Sequence, residues 1–216
     1  HKEYRRQRQM CIRDSVYAAL EYEFFMFRET PHSVRAKHYR NMENWTPGNF
    51  GYSMLRSTVE GDFYRKLLDM CERMDMPIEG LHTETGPGVL EAAIAVDQAA
   101  AAGDKAFLFK TFTKALAQQN GLMATFMAKW SHDHPGQSGH IHLSLREKKS
   151  GRSAFYDESQ PHGMSAAQTS FMAGVQRYLP EFMALYAQTI NSYSRLVPGY
   201  CCLLYTSDAA DDTPCV

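Results

Sequence analysis

Polar and hydrophobic residues alternate along residues 20–28, LEYEFFMFR. A period of two is typical of a strand, and it places Glu21, Glu23, Phe25 and Phe27 on one face. The sequence therefore predicts a strand on which two carboxylates lie side by side.

The same kind of pattern predicts further strands. Residues 78–96 are interpreted as two strands joined by a turn at residues 86–88, Gly-Pro-Gly. Residues 124–129 and 140–145 are predicted to be short strands on either side of a loop, residues 130–139. Several of these strands carry polar residues on one face, which favours an antiparallel sheet with a polar site.

Helical spacing alternates with these strands. It predicts helices over residues 61–74, 97–119 and 166–189, the last one kinked or interrupted at Pro180. Residues 29–54 lack periodicity and are predicted to form a long loop. The buried stripe expected on the second helix consists of Phe107, Phe109, Phe112 and Leu116. The expected fold is α+β: an antiparallel sheet with a polar metal-binding face, backed by long helices.

The two ends differ in character from the rest of the chain. Residues 1–15 and 202–216 resemble translated adaptor sequence and are interpreted as non-native; the alternative is a basic arm and an acidic tail with real roles. Residues 16–201 are then the native body. The chain has a formal net charge of −1, so no nucleic-acid partner is expected. The absence of a long apolar run predicts no membrane span, and we expect a cytoplasmic location.

Five side chains are candidates for chemistry: Glu21, Glu23, Glu84, Glu91 and His140. Each alone has an ordinary explanation, because a strand glutamate is usually solvated and a single histidine is usually structural. Four carboxylates on one sheet face, however, would repel and raise one another's pKa unless cations lay between them. Oxygen ligands with one imidazole favour Mg²⁺ or Mn²⁺ over zinc.

Five segments together resemble a known family. They are EYEFFMF, HTETGPGVLEAAI, KTFTKALAQQNGLMATFMAK, SGHIHLSL and NSYSRLVPGY, and they follow the order and spacing of the signature segments of the glutamine synthetase catalytic domain. The resemblance covers about residues 20–200 and implies that family's fold. It also implies ATP-dependent ligation of a carboxylic acid to ammonia or an amine, through an acyl phosphate.

The resemblance implies two cation sites. Glu23, Glu84 and Glu91 match the three carboxylates on the amino-acid side, while Glu21 and His140 match two of the three ligands of the cation that bridges the nucleotide phosphates. The string that supplies the third ligand in the family does not occur in this chain. The implied cofactors are ATP and Mg²⁺ or Mn²⁺.

Other site residues are implied in the same way. His142 and Ser144 match positions near the nucleotide, although His142 has the alternative of simply packing or capping. Arg195 matches the arginine that contacts the substrate carboxylate or the transferred phosphoryl group, and Gly136 falls in the substrate-binding turn. The implied partners are small molecules, namely ATP, glutamate or a related acid, and ammonia or an amine. The family further implies a homo-oligomeric ring for the full-length form, and little activity for this chain alone.

Two departures point to a divergent branch of the family. Members that use glutamate commonly have Asn-Gly before the histidine turn, whereas this chain has Pro135 before Gly136. The proline that usually follows the ATFM strand is Ala128 here, with Trp130 two residues on. Two alternatives to the ligase remain open. One is a non-catalytic scaffold with the same fold; the other, less favoured, is a guanidino-kinase relative, which would have a reactive-cysteine loop.

Overall fold

The computed structural model describes residues 14–196, and their elements confirm the predicted α+β class. The strands are β1 (Asp14–Phe27), β2 (Ile78–Thr83), β3 (Val89–Gln98), β4 (Met123–Thr125) and β5 (Ile141–Glu147). The helices are α1 (Pro31–Ala36), α2 (Met54–Val59), α3 (Gly61–Arg73), α4 (Ala99–Gln119), α5 (Ala166–Tyr186) and α6 (Ile190–Arg195), with a 3₁₀ turn at Pro161–Gly163. β1 begins within the predicted non-native segment 1–15; most of that segment, and all of 202–216, lies outside the described residues.

The strands form one sheet with the order β2-β3-β1-β4, and β5 also pairs with β1. The β1–β4 pair is antiparallel, with Phe25 opposite Thr125. The β2–β3 pair is also antiparallel, and its register places His82 opposite Glu91. Within the described part of the chain, no helix is long and apolar enough to cross a membrane.

The chain divides into two compact units. In the described range, the first unit contains residues 14–19, 96–102 and 141–188, and the second contains residues 20–95, 103–140 and 189–196. In the first unit, the Ser165 hydroxyl caps α5 by accepting a hydrogen bond from the Gln168 N–H. The second unit contains both clusters of buried hydrophobic residues.

The alternation along β1 divides its side chains between these two clusters. Phe24 and Met26 lie in the larger one, whereas Phe25 and Phe27 join Val89 in the smaller one. This arrangement confirms the strand and the period of two that the sequence predicts.

The turn between β2 and β3 requires glycine. Gly88 has φ +71°, and a Cβ there would lie 2.5 Å from the Met26 carbonyl oxygen and 3.2 Å from the Trp45 backbone nitrogen. The Gly88 carbonyl accepts a hydrogen bond from the Met26 N–H at 2.8 Å. The absence of a side chain therefore lets the turn approach β1 closely.

The predicted loop over residues 29–54 is wrong in part, because it contains α1 and the first residue of α2. At the start of α1, the Thr30 hydroxyl accepts a hydrogen bond from the Ser33 N–H, and the Ser33 hydroxyl accepts one from the Thr30 N–H. Pro31 occupies the first turn of the helix. This reciprocal cap and the proline stabilise a helix too short to show periodicity.

The predicted strand over residues 124–129 is mostly wrong, since β4 ends at Thr125. Beyond it, the carbonyls of Met127 and Ala128 accept hydrogen bonds from the Gln137 side chain and backbone N–H, both at 2.8 Å. These hydrogen bonds stabilise a loop in place of the predicted strand. The predicted final helix also ends early, because α5 stops at Tyr186 after running continuously through Pro180.

The expected buried stripe on α4 is correct for only part of its length. Phe109 is fully buried, but Phe107 is 70% exposed and Phe112 is 38% exposed. Phe109 contacts the sheet through rings at 6.0 Å from both Tyr22 and Phe24.

Glu29 is a buried carboxylate with three donors, outside the candidate site. Its oxygens accept hydrogen bonds from Lys37 Nζ at 2.6 Å, the Ser33 hydroxyl at 2.5 Å and the Glu43 backbone N–H at 3.0 Å. Burial acts to raise the pKa of Glu29, but these donors hold that pKa below its ordinary value.

Replacing Glu29 with glutamine is expected to lower the free energy of unfolding by about 1–3 kcal/mol at neutral pH, because the Lys37 charge loses its buried partner. Since the folded-state pKa of Glu29 is depressed, this contribution is present above the unfolded-state value and is lost as pH falls through the folded one. Urea unfolding at pH 7 and at acidic pH tests both effects. Glu43→Gln is the matched control because it retains the backbone donor, and a difference independent of pH would contradict the interpretation.

Candidate metal centre

Two backbone pairings bring the candidate ligands onto one face in the second unit. The β2–β3 register sets His82 opposite Glu91. The segment just before β5 pairs with β1: Glu21 and His140 exchange backbone hydrogen bonds at 3.0 and 3.2 Å, and the Glu23 N–H donates to the Ser138 carbonyl at 3.1 Å. Residues opposite each other in such pairings direct their side chains to the same face.

The first cluster contains Glu21, Glu91 and His140. One potential ligand atom from each lies within 4.8 Å of the others. The Nδ1 atom of His140 lies 2.9 Å from Glu21 Oε2 and 3.7 Å from Glu91 Oε1. The first distance is a hydrogen bond, whereas the second is too long for one and is an attraction between charges.

The second cluster contains His82, Glu84 and Glu91, again with ligand atoms within 4.8 Å of one another. His82 Nε2 lies 3.1 Å from Glu91 Oε2 and 3.7 Å from Glu84 Oε2. Glu91 therefore belongs to both clusters and links them.

Among the described residues, Glu23 belongs to neither cluster, but it lies close enough for the charges of Glu91 and Glu84 to act on its pKa. Its Oε2 accepts a hydrogen bond from the Ser138 backbone N–H. Burial raises the pKa of Glu23 above its ordinary value; Glu91 and Glu84 act in the same direction, while the Ser138 N–H and Arg195 oppose them.

The expectation that all four carboxylates raise one another's pKa is wrong for Glu91. Burial acts to raise its pKa, but the neighbouring imidazoles of His140 and His82 lower it to about 2. In turn, Glu91 and then Glu21 raise the pKa of His140 to about 9, and the hydrogen bond to Glu91 raises that of His82. The two imidazoles and the acids beside them therefore favour one another's charged forms.

The side chains of both clusters fit a divalent cation. Among the described residues, the buried oxygens Glu84 Oε2 and Glu91 Oε1 have no hydrogen-bond partner. A buried carboxylate oxygen without a donor is costly, and a cation would supply the missing interaction. Hard carboxylate oxygens with imidazole nitrogen suit Mg²⁺ or Mn²⁺.

A cation bound through His140 would displace the proton that its imidazole otherwise holds. With a His140 pKa of about 9, the apparent Mn²⁺ affinity is expected to rise roughly tenfold per pH unit for each proton released between pH 6.5 and 8. Calorimetry in buffers of different ionisation enthalpy counts those protons directly.

The His140→Gln variant is expected to bind Mn²⁺ more weakly and with a flatter pH dependence. His38→Asn is the control, because His38 is exposed at φ 50°, a conformation that asparagine tolerates. If His140→Gln releases as many protons on binding Mn²⁺ as the unsubstituted chain, the protons come from another group.

Arg195 contacts both Ser138 and Gly136. Arg195 Nη2 donates a hydrogen bond to the Ser138 hydroxyl at 3.0 Å. A Cβ on Gly136 would lie 2.8 Å from Arg195 Cγ, so the arginine stem packs on the glycine. The two residues predicted for substrate binding are thus in contact.

His142 and Ser144 lie on β5 in the first unit, whereas the two clusters belong to the second. His142 is exposed and Ser144 is partly exposed. Their assignment to the nucleotide stays a prediction.

His82 is the residue of the clusters that sequence reasoning missed. It precedes Glu84 by two positions, and although β2 ends at Thr83, the Glu84 N–H continues the pairing by donating to the Val89 carbonyl at 2.9 Å. The alternation of the strand therefore extends to both residues. The ring of His82 also stacks on Tyr52, with centroids 4.7 Å apart. The period of two was therefore a sufficient signal.

Known proteins identify the class to which this chain belongs. The family model for the glutamine synthetase catalytic domain matches residues 1–214. The chain is therefore a member of this family of ligases, which confirms the resemblance seen in its sequence motifs.

Its relatives include ligases for different amines. Type-1 glutamine synthetase 2 of Dictyostelium discoideum is 46% identical over 181 residues, covering 84% of this chain and 34% of that protein. Glutamate–isopropylamine ligase of a Pseudomonas species is 33% identical over 179 residues, covering 83% of this chain and 39% of that protein. The solved structure of apo GmaS without ligand has a TM-score of 0.76 at 22% identity, over 88% of this chain and 43% of that one, which shows the shared fold. The chain spans less than half the length of these relatives.

Proposed function

We propose that the protein is an ATP-dependent carboxylate–amine ligase that forms a γ-glutamyl amide, either glutamine from glutamate and ammonia or a close analogue. The observation that carries the proposal is the pair of linked clusters around Glu91, with two buried carboxylate oxygens that lack a donor. A scaffold without ligand chemistry would gain nothing from such costly groups.

The proposed ligands divide between two divalent cations. Glu23, Glu84 and Glu91 would hold one cation on the amino-acid side, and Glu21 and His140 would hold the other on the nucleotide side. When bound, such cations neutralise charge on a transferred phosphoryl group. Support comes from the sharing of Glu91 between the clusters and from its charge coupling to Glu23.

The remaining residues would bind and orient the substrates. Arg195, with its stem on Gly136, would attract the carboxylate of the acid or the transferred phosphoryl group, and His142 and Ser144 would contact ATP. The γ-phosphoryl group passes from ATP to a carboxylate oxygen, and ADP leaves. The lone pair of the amine then attacks the acyl carbon, phosphate leaves with the former carboxylate oxygen, and a proton is lost from nitrogen. Placement and neutralisation of charge supply most of the acceleration.

We further propose that the complete protein works as a homo-oligomeric ring on small molecules. The support for this assembly is membership of the family.

The function can be tested by grafting residues 20–196 into the corresponding position of the Dictyostelium relative, which shares 46% identity with this chain. Phosphate release from ATP is measured with glutamate and either ammonium, isopropylamine or ethanolamine. Amine-dependent release that is lost in Glu91→Gln supports the proposal. A folded graft that binds Mn²⁺ but never releases phosphate would favour the non-catalytic scaffold.

A further inference from the structure

Ser138 is bonded both to the acidic strand and to Arg195. Its backbone N–H donates to the Glu23 carboxylate, and its carbonyl accepts from the Glu23 N–H at 3.1 Å. Its hydroxyl accepts a hydrogen bond from Arg195 Nη2 at 3.0 Å. The main chain of Ser138 thus bonds to Glu23, while its side chain bonds to Arg195.

Arg195 is also held along its stem and at its helix. A Cβ on Gly136 would lie 2.8 Å from Arg195 Cγ, which leaves the stem in contact with the loop backbone. One turn earlier in α6, Asn191 Nδ2 donates to the Lys129 carbonyl at 2.9 Å. These contacts fix the helix backbone and the aliphatic stem of Arg195, and the Ser138 hydroxyl contacts its guanidinium group.

A long arginine side chain loses conformational entropy when a ligand immobilises it. A protein that restricts the guanidinium beforehand reduces this loss and gains affinity and precision for an anionic ligand. Ser138 can do so without altering Glu23, because its bonds to Glu23 use only backbone atoms.

We propose that Ser138 is a positioning residue, whose hydroxyl orients the Arg195 guanidinium toward an anionic ligand held beside Glu23. This inference rests on the proposed function, in which Arg195 binds the acid substrate or the transferred phosphoryl group. The inference adds Ser138, which would contact neither the acid substrate nor the transferred phosphoryl group.

The test compares Ser138→Ala with the conservative Ser138→Thr in the full 216-residue chain. Three quantities are measured: Mn²⁺ affinity, L-glutamate affinity in saturating Mn²⁺, and the Arg195 Nε–H signal in NMR spectra, assigned by its loss in Arg195→Lys. Ser131→Ala, in the same loop, is the control.

We expect Ser138→Ala to weaken glutamate binding roughly tenfold, as for loss of one hydrogen bond to a charged group, and to alter the Arg195 signal. Mn²⁺ affinity should be unchanged, and Ser138→Thr should restore both affected readouts.

Unchanged glutamate affinity together with an unchanged Arg195 signal in Ser138→Ala overturns the proposal. A parallel fall in Mn²⁺ affinity does the same, because the substitution would then have disturbed Glu23. If glutamate does not bind but the Arg195 signal responds to Ser138→Ala and recovers in Ser138→Thr, positioning stands and the acid-substrate role of Arg195 fails.

Discussion

Replacing Glu91 with glutamine is expected to lower the Mn²⁺ affinity of the chain at least roughly 100-fold. Loss of a residue that only hydrogen-bonds to a metal ligand already costs up to about this factor, and Glu91 is a candidate ligand itself. Glu91 is the only described residue shared by both ligand clusters, so a single substitution affects both. The Glu91 carboxylate also interacts with His82 and His140, which would lose the partner that raises their pKa values. Titration calorimetry at neutral pH measures the change.

The size of the Glu91 effect distinguishes a shared ligand from general acidity. Glu72→Gln, which removes an exposed carboxylate on α3, is the matched control and should leave Mn²⁺ affinity unchanged. Melting of the metal-free variants shows whether the fold survives, and added Mn²⁺ should stabilise only chains that still bind it. Binding by Glu91→Gln within a fewfold of the unsubstituted chain would contradict a centre built on this residue.

Single substitutions in each cluster test the division between them. Glu21→Gln removes an acid from the first cluster, and Glu84→Gln removes one from the second. Each should weaken binding less than Glu91→Gln, because the other cluster keeps its three members. The binding stoichiometry then reports how many cations the two clusters hold.

Strand alternation explains why much of the candidate site could be predicted from sequence. A period of two fixes which side chains share a face, and it placed Glu21 with Glu23 before any pairing was known. The same rule applied to residues 78–84 would have added His82 to Glu84. That omission came from the separate weakness of a single histidine as a signal.

Other features depend on contacts that local sequence does not contain. The Arg195–Ser138 hydrogen bond joins residues 57 positions apart, and no periodicity specifies it. The depressed pKa of Glu91 likewise follows from the strand register, which sets it opposite His82, and from the proximity of His140. The sequence indicated only that several acids would be neighbours. α1 was missed because a capped helix of 6 residues is too short for helical spacing to appear.

The two faces of β1 connect core packing to the site. Tyr22 and Phe24 alternate with the acids and contact Phe109 on α4, so the aromatic side supports the strand from behind. Phe126 completes this group, with its ring 6.1 Å from that of Phe109 and 5.2 Å from that of Phe24. The strand that carries the acids is therefore stabilised by packing on its opposite face.

Replacing Phe109 with alanine is accordingly expected to lower the free energy of unfolding by about 3–5 kcal/mol, the usual cost of removing a buried phenylalanine and leaving a cavity. Phe107→Ala is a control on the same helix with the same change of side chain, but Phe107 is 70% exposed and should cost under about 0.5 kcal/mol. Urea unfolding followed by circular dichroism measures both.

The comparison also tests whether β1 transmits the loss to the metal centre. Because Glu21 and Glu23 face away from Phe109, the remaining folded Phe109→Ala molecules should bind Mn²⁺ with nearly unchanged affinity, and saturating Mn²⁺ should recover part of the lost stability by mass action. Equal losses in Phe109→Ala and Phe107→Ala would show that α4 does not pack through Phe109. A fall in the intrinsic Mn²⁺ affinity of the folded Phe109→Ala chain would instead show that the aromatic group fixes the positions of the acids as well as the stability of the strand.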